Sequence, residues 1–282
     1  MIKVKKLKMK KVFLSFVILI FIFSCDKIEP PYKVNNSNNN DTTTFVQKVL
    51  IEDFTGHRCG NCPRAHEKLH QLISLYGDKV IGIAWHSGFF ANPLPPNYPA
   101  DYRTIEAEEI ANTFGVTQWP IGMVNRTDYN GSKLLSYDAW SEALANLINQ
   151  TPKAYIAIQA NYQTAKSQVN ASISVKLLDN IDSPIKLCVF LTEDSIISAQ
   201  TDYDVNPNLI PNYLHMHMFR ASFNGTWGNE LSLSEKHIGD TLLRQFSLTW
   251  NNAWIKNNCH VVAFIYNVNS DAIIQVNEAI IN

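Results

Sequence analysis

The sequence predicts an α/β domain followed by an all-β sandwich, with the change of class near Thr151. Three observations carry this. Between Phe45 and Gln150, near-continuous apolar strands alternate with segments of helical periodicity. Beyond Pro152 the chain breaks into short, largely alternating β-rich runs separated by Asn, Asp, Gly and Pro. A chain of 282 residues, 46% of them hydrophobic, is long enough to fill two such cores.

In order, VQKVLIEDF (Val46–Phe54) reads as a strand buried on both faces. Pro63 to Tyr76 carries Ala65, Leu69, Leu72, Ile73 and Tyr76 at helical spacing, and Gly77 stops the helix. KVIGIAW is a second buried strand, and the proline-rich FFANPLPPNYPADY is expected to hold no regular structure. Thr104 to Phe114 is a helix closed by Gly115, followed by Pro120, a short strand in IGMV, and a turn at Tyr129-Asn130-Gly131. Tyr137 to Asn149 is a third helix, with Trp140, Leu144 and Leu147 on one side. AYIAIQANY, VNASISVKLL, IKLCVFLTE, LLRQFSLTW, CHVVAFIYNV and AIIQVNEAII then supply the strands of the second half, and no helix is expected among them.

The first 24 residues read as a leader. MIKVKKLKMKK is basic, and VFLSFVILIFIFS is an apolar stretch short for a bilayer span, ending on Cys25. Ile22-Phe23-Ser24-Cys25 resembles a bacterial lipobox, which implies that Cys25 is acylated and becomes the mature N-terminus; the alternative is an uncleaved anchor with an incidental cysteine. Either way the body faces an oxidising, extracytoplasmic space, where thiol pairs are typically disulfides. Residues 25–44, rich in Asn, Thr and Pro, read as a flexible tether. Six lysines precede Cys25, so the remainder has 18 basic and 25 acidic residues and a charge of -7, the wrong sign for nucleic-acid binding.

The chemistry concentrates in FTGHRCGNCPRAH, Phe54 to His66. A CxxC between a buried strand and a helix is a redox arrangement, because unsatisfied N–H groups at a helix N-terminus stabilise a thiolate. Cys59, with its sulfur exposed and with His57 and Arg58 beside it, is then the nucleophile, and Cys62 the resolving thiol. Two other readings compete. Cys59, Cys62, His66 and His70 have zinc-ligand spacing, but helix rise separates Cys59 from His70 by roughly 15 Å; His57 in place of His70 makes a more compact set. A plain structural disulfide is the third reading. No metal or cofactor is assigned, and His86, at the end of the second strand, either lines the cleft or packs in the core.

IEDFTGHRCGNC resembles the signature stretch of thioredoxins, with Asp53 and Phe54 in register before the first cysteine. The resemblance implies that Asp53, its pKa raised by burial, assists proton transfer to Cys62. It also implies that Pro120 in GVTQWPIGMVNR is the cis-proline beside the disulfide. Arg58 and Trp119 replace the usual residues of the substrate groove. DFTGHRCGNCPRAHEKLHQL, GVTQWP, LHMHMFRASFNGTWG and the β-rich second half together are similar to the twenty-eight-kilodalton outer-membrane (Omp-related) lipoprotein family of Gram-negative bacteria. That resemblance implies a thioredoxin-like domain over 45–151, a central mixed sheet flanked by helices, followed by a β-sandwich domain over 152–282. It places the protein at the outer membrane, with its body in the periplasm or at the cell surface.

The expected function is thiol–disulfide exchange on protein thiols and disulfides, by an enzyme held to the membrane through Cys25. The alternative is a surface binding or adhesion lipoprotein whose thioredoxin-like domain is a redox-inert scaffold. In the second half, Cys188 and Cys259 form a disulfide or remain two buried thiols. His215 and His217 are expected on one side of one strand, a pair that can bind metal but lacks an evident third ligand.

Overall fold

The computed structural model describes residues 45–232 and 237–282; the leader, Cys25 and the tether lie outside them. The first half supplies β1 (Val49–Thr55), α1 (Cys62–Tyr76), β2 (Val80–His86), α2 (Ile105–Thr113), β3 (Ile121–Val124) and α3 (Trp140–Ala145). The second half supplies β4 (Ala154–Gln163), β5 (Gln168–Leu177), β6 (Ile185–Glu193), β7 (Ile196–Thr201) and β8 (Leu209–His215). It continues with β9 (Met218–Ser222), β10 (Asn229–Glu230), β11 (Thr241–Thr249), β12 (Cys259–Asn267) and β13 (Ile273–Ile280).

The class is mixed α/β and mostly strand. An eight-stranded mixed sheet runs β13-β12-β6-β9-β2-β1-β3, with β10 also on β6, beside a three-stranded sheet β11-β5-β4 and the hairpin β7-β8. β1 and β2 are parallel, β3 is antiparallel to β1, and β2 meets β9 in parallel at Ala84 and Met218. Ala84 N–H also donates to the His217 carbonyl at 2.7 Å. The large sheet therefore draws strands from both sides of residue 151.

Period-two chemistry explains why β6 and β12 are buried on both faces, all but Lys186, His260 and Asn267 being fully buried. Cys188 and Phe190 of β6 and Val262 and Phe264 of β12 face a core with Trp85, Ile83 and Ile110. Their neighbours Leu187, Val189, Val261 and Ala263 face the other way, against Ile156, Val169, Ile173 and Val175 of the smaller sheet. β5 shows the matching clean alternation of buried and half-exposed residues. A third core packs Leu69 and Leu72 of α1 and Trp140 and Leu144 of α3 on Val49 and Ile51 of β1.

Local chemistry sets the helix ends. Pro63 occupies the first turn of α1, where a missing N–H leaves no bond unmade, and Gly77 ends it at φ +61° with its N–H on the Ile73 carbonyl. The Thr104 hydroxyl caps α2 by accepting from Ala107 N–H at 3.0 Å. Three expectations need correction. FFANPLPPNYPADY carries a 3-10 turn at Phe89–Ala91 and a Leu94–Tyr98 bridge. The third helix is a 3-10 turn, Tyr137–Ala139, followed by only six α-helical residues, and turns follow Ala145. LHMHMFR is two strands: His217, at φ +56°, turns the chain between β8 and β9, so His215 and His217 do not share one strand.

Candidate functional site

Cys59 and Cys62 form a disulfide, with S–S 2.08 Å and Cα–Cα 5.4 Å, at the entry to α1. The expected exposure of Cys59 is corrected: Cys59 is 2% exposed and Cys62 0%. The cover comes from the end of β7 and the segment joining it to β8. Thr201 N–H donates to the His57 carbonyl at 2.8 Å, and Tyr203 N–H to the Gly60 carbonyl at 2.9 Å. Gln200 Nε2 donates to the Cys59 carbonyl at 2.9 Å. Arg64 binds Asp204 through two hydrogen bonds, of 2.8 and 2.6 Å, and the Tyr98 and Thr201 hydroxyls meet at 2.6 Å. The strap thus pairs with the dithiol loop by backbone, amide and charge together.

Beside the dithiol loop is a cavity of about 740 Å³, lined among others by Asp53, His66, His86, Tyr213, His215 and His217. Asp53 ends up here because side chains alternate along β1, which also brings Thr55 to this face. Thr55 Oγ1 and Tyr213 OH each hydrogen-bond with the His66 ring at 2.8 Å. His66 Nε2 lies 3.5 Å from the Asp53 carboxyl. Among the described residues neither oxygen of Asp53 has a hydrogen-bond partner, nor does either ring nitrogen of His86 or His215.

Burial dominates the electrostatics. Desolvation pushes the Asp53 carboxyl up to about 8. It pulls His66 down to about 3, with His215 and His217 adding to the effect. It pulls His215 to about 4, with His57 adding, while main-chain groups of Ala199 and Ser198 beside the ring act in the opposite direction. His86 falls well below the ordinary imidazole range for the same first reason. At neutral pH this floor is uncharged and rich in lone pairs. His217 faces elsewhere as well: its Nδ1 is 3.4 Å from Asp194, whose other oxygen is 3.5 Å from His260 Nε2.

The remaining residues named from sequence fall as follows. Arg58 stacks its guanidinium on Phe89 at 4.8 Å, and His57 hydrogen-bonds with the Asn92 carbonyl at 3.1 Å. The Trp119–Pro120 peptide is cis, and the Trp119 indole approaches the Ser87 hydroxyl at 3.4 Å. The disulfide and the bonded His66 ring dismantle both zinc sets weighed from sequence. Among the described residues no group of three or more His, Cys, Asp or Glu side chains could hold a metal ion. Cys188 and Cys259 are free and buried. Sequence reasoning missed the ion pair of Glu52 and Arg126, both fully buried, with Nε–Oε2 2.7 Å and Nη2–Oε1 2.8 Å. It also missed the strap, the end of β7 with the segment after it; its only signal was the polar run that follows β7.

The fold is a mostly-β, mixed α/β one with a buried CxxC disulfide, and among the described residues no helix is long and apolar enough to cross a membrane. The family described as Outer membrane protein Omp28 matches residues 107–282, and the chain belongs to it, as a lipoprotein-type protein of the Gram-negative outer membrane. Among solved structures it is similar to HBP35 of Porphyromonas gingivalis, at 17% identity and TM-score 0.63 over 84% of this chain and 76% of that one. It is also similar to a domain of the outer membrane lipoprotein Omp28 from Porphyromonas gingivalis, at 20% identity and TM-score 0.32 over 47% of this chain and 91% of that one. A protein from Agrobacterium tumefaciens matches at 17% identity and TM-score 0.48, over 84% of this chain and 96% of that one. Among curated proteins none matches the sequence.

Proposed function

We propose that this protein is a surface-associated binding lipoprotein, held to the outer membrane through Cys25, whose thioredoxin-like first half (45–151) is a redox-inert scaffold for a β-sandwich second half (152–282). The observation that carries the reading is the sealed disulfide. Exchange needs a sulfur that an attacking thiolate can approach in line. Here Cys59 and Cys62 are 2% and 0% exposed, and strap residues from Gln200 to Asp204 bond directly to the loop and helix that hold them. In this reading Cys59–Cys62 is a crosslink that fixes the entry to α1.

The second reading, thiol–disulfide exchange, is favoured by Asp53. Its buried carboxyl, pushed up to about 8, lines the same cavity as Pro63, the neighbour of Cys62. With the strap lifted and Cys59–Cys62 first reduced by an external thiol donor, the Cys59 thiolate attacks a substrate disulfide, forming a mixed disulfide and expelling one substrate thiolate. Cys62, deprotonated with help from Asp53, then attacks Cys59 and releases the second, leaving Cys59–Cys62 oxidised and the substrate reduced. Arg58, Trp119 and Pro120 shape the groove in this reading.

One experiment decides between them. Mixed disulfides are trapped in cells carrying Cys62→Ser, with Cys59→Ser/Cys62→Ser as control, and the native disulfide is challenged with a dithiol reductant. The binding reading expects no Cys59-dependent adducts and slow reduction. Abundant adducts and fast reduction establish the exchange reading in its place.

A further inference from the structure

We propose that His86 and His215 form the core of a binding site for a divalent transition-metal ion of the borderline class that imidazole nitrogen prefers, such as Zn²⁺, Co²⁺, Ni²⁺ or Cu²⁺. The proposal deepens the binding reading by naming a ligand and rests on that reading for its purpose, but its geometry does not depend on the fate of the dithiol.

His86 ends β2 and His215 ends β8, and the fold brings their ring centres to 5.7 Å at an interplanar angle of 64°. Each residue is 2% exposed, and none of the four ring nitrogens has a hydrogen-bond partner among the described residues. Buried polar atoms are bonded as a rule, so two adjacent orphaned imidazoles mark a place where something else supplies the contact. An ion about 2.1 Å from a ring nitrogen lies roughly 3.2 Å from that ring's centre. Two rings on one ion, from tetrahedral to linear angles, then have centres about 5.2 to 6.4 Å apart. The observed 5.7 Å falls inside that window.

The surroundings fit the same ligand. Tyr102 packs on both rings, at 5.6 and 6.1 Å, and holds them in place. The Asp53 carboxyl, with no hydrogen-bond partner among the described residues, lines the same cavity. Among the described residues no group of three or more His, Cys, Asp or Glu side chains could hold an ion, so in this site two imidazoles alone hold it and its other positions face the cavity. An open coordination sphere of that kind suits capture of an ion, or of a molecule carried on it, better than a structural role.

The test uses the full-length protein in detergent, titrated with Zn²⁺ by calorimetry and with Co²⁺ by its visible absorption. One ion per chain is expected. His86→Gln and His215→Gln each weaken it by about tenfold or more, since even outer-shell changes cost that much; His70→Gln, on the cavity wall, leaves it unchanged. Should either substitution disturb folding, nitrogen NMR of the histidine rings in the unsubstituted protein gives the answer, because both the His86 and His215 rings must shift on adding Zn²⁺. No saturable binding, binding undiminished by both substitutions, or unmoved ring resonances overturns the proposal. Each of those results leaves the sealed-disulfide reading standing, since reduction and trapping decide that one.

Discussion

The ring of Tyr203 lies flat against the Cα of Gly60, so that a β-carbon added at Gly60 would sit 2.4 Å from the Tyr203 ring carbons. No side chain larger than hydrogen fits between the dithiol loop and its strap. Gly60→Ala therefore acts on the docked strap. The overpacking costs roughly 1–3 kcal/mol and is relieved when Tyr203 swings away, so the open population rises about tenfold. The measurement is the rate of Cys59–Cys62 reduction by a small dithiol, followed by mass spectrometry. Equal rates in Gly60→Ala and the parent would mean that the strap does not gate the sulfurs.

The cavity makes stability depend on pH in two opposed ways. His66 and His215, at about 3 and 4, and His86, lower still than the ordinary range, stay neutral in the folded state while the unfolded chain takes up protons below 6.5. Their contribution is complete above pH 6.5 and is lost as pH falls. Asp53 runs the other way: folded, it holds its proton to about 8, while the unfolded carboxyl loses its proton near 3.8. Stability therefore declines from pH 4 to 8 on its account, by up to about 1.4 kcal/mol per unit. Three histidines outweigh one carboxyl below pH 6.5, and above it Asp53 acts alone, so these groups place the maximum near pH 6.5. Urea midpoints across this range, with chelator present, check it: Asp53→Asn should remove the alkaline decline, and a decline unchanged in that variant would refute the assignment.

Local structure was legible where one segment's pattern decided it. β1, β2, α1 and the alternating β5 follow from periodicity, Pro63 and Gly77, because those signals act within a few residues. The third helix was overextended, since Leu147 keeps helical spacing while the backbone has already left the α-helix at Ala145. His215 and His217 looked like one strand face because alternation does not reveal the left-handed backbone at His217. The cavity and the strap were out of reach for a different reason. Gln200 meets Cys59 across 141 residues, and His86 meets His215 only because β2 joins β9. Contacts of that range leave no periodic trace.

The ion pair of Glu52 and Arg126 is enclosed by Phe114, Trp227, Phe264 and Tyr266, with ring centres 5.2 to 5.9 Å from the guanidinium carbon. Trp85 Nε1 donates to Glu52 Oε1, the oxygen that also accepts from Arg126 Nη2, at 3.1 Å. Glu52→Gln leaves a buried cation without its counter-charge and should cost about 3–5 kcal/mol. Glu52→Gln/Arg126→Met should cost less than the two single changes added together, because it removes both charges from a low-dielectric, aromatic site. Chemical denaturation of the four proteins closes the cycle, and strict additivity would mean that the two side chains are not energetically coupled.

Cys188 and Cys259 answer a question about the second half. Both are free and buried, and desolvation pushes both thiols up to about 12, so almost no thiolate exists at neutral pH. β6 and β12 pair Cys188 with Phe264 and Cys259 with Glu193, which sets the two cysteines five rungs apart on neighbouring strands, beyond disulfide reach. Cys188 points into the core with Phe190 and Phe264, and Cys259 into the opposite one. Native protein treated with iodoacetamide should therefore gain no label at either position, and unfolded, unreduced protein should gain two at these sites. Peptide mapping reads both numbers. Rapid native labelling at Cys188 or Cys259 would show that these cores open far more readily than their packing allows, and a missing label after unfolding would show that the two sulfurs pair by a rearrangement the strand register forbids.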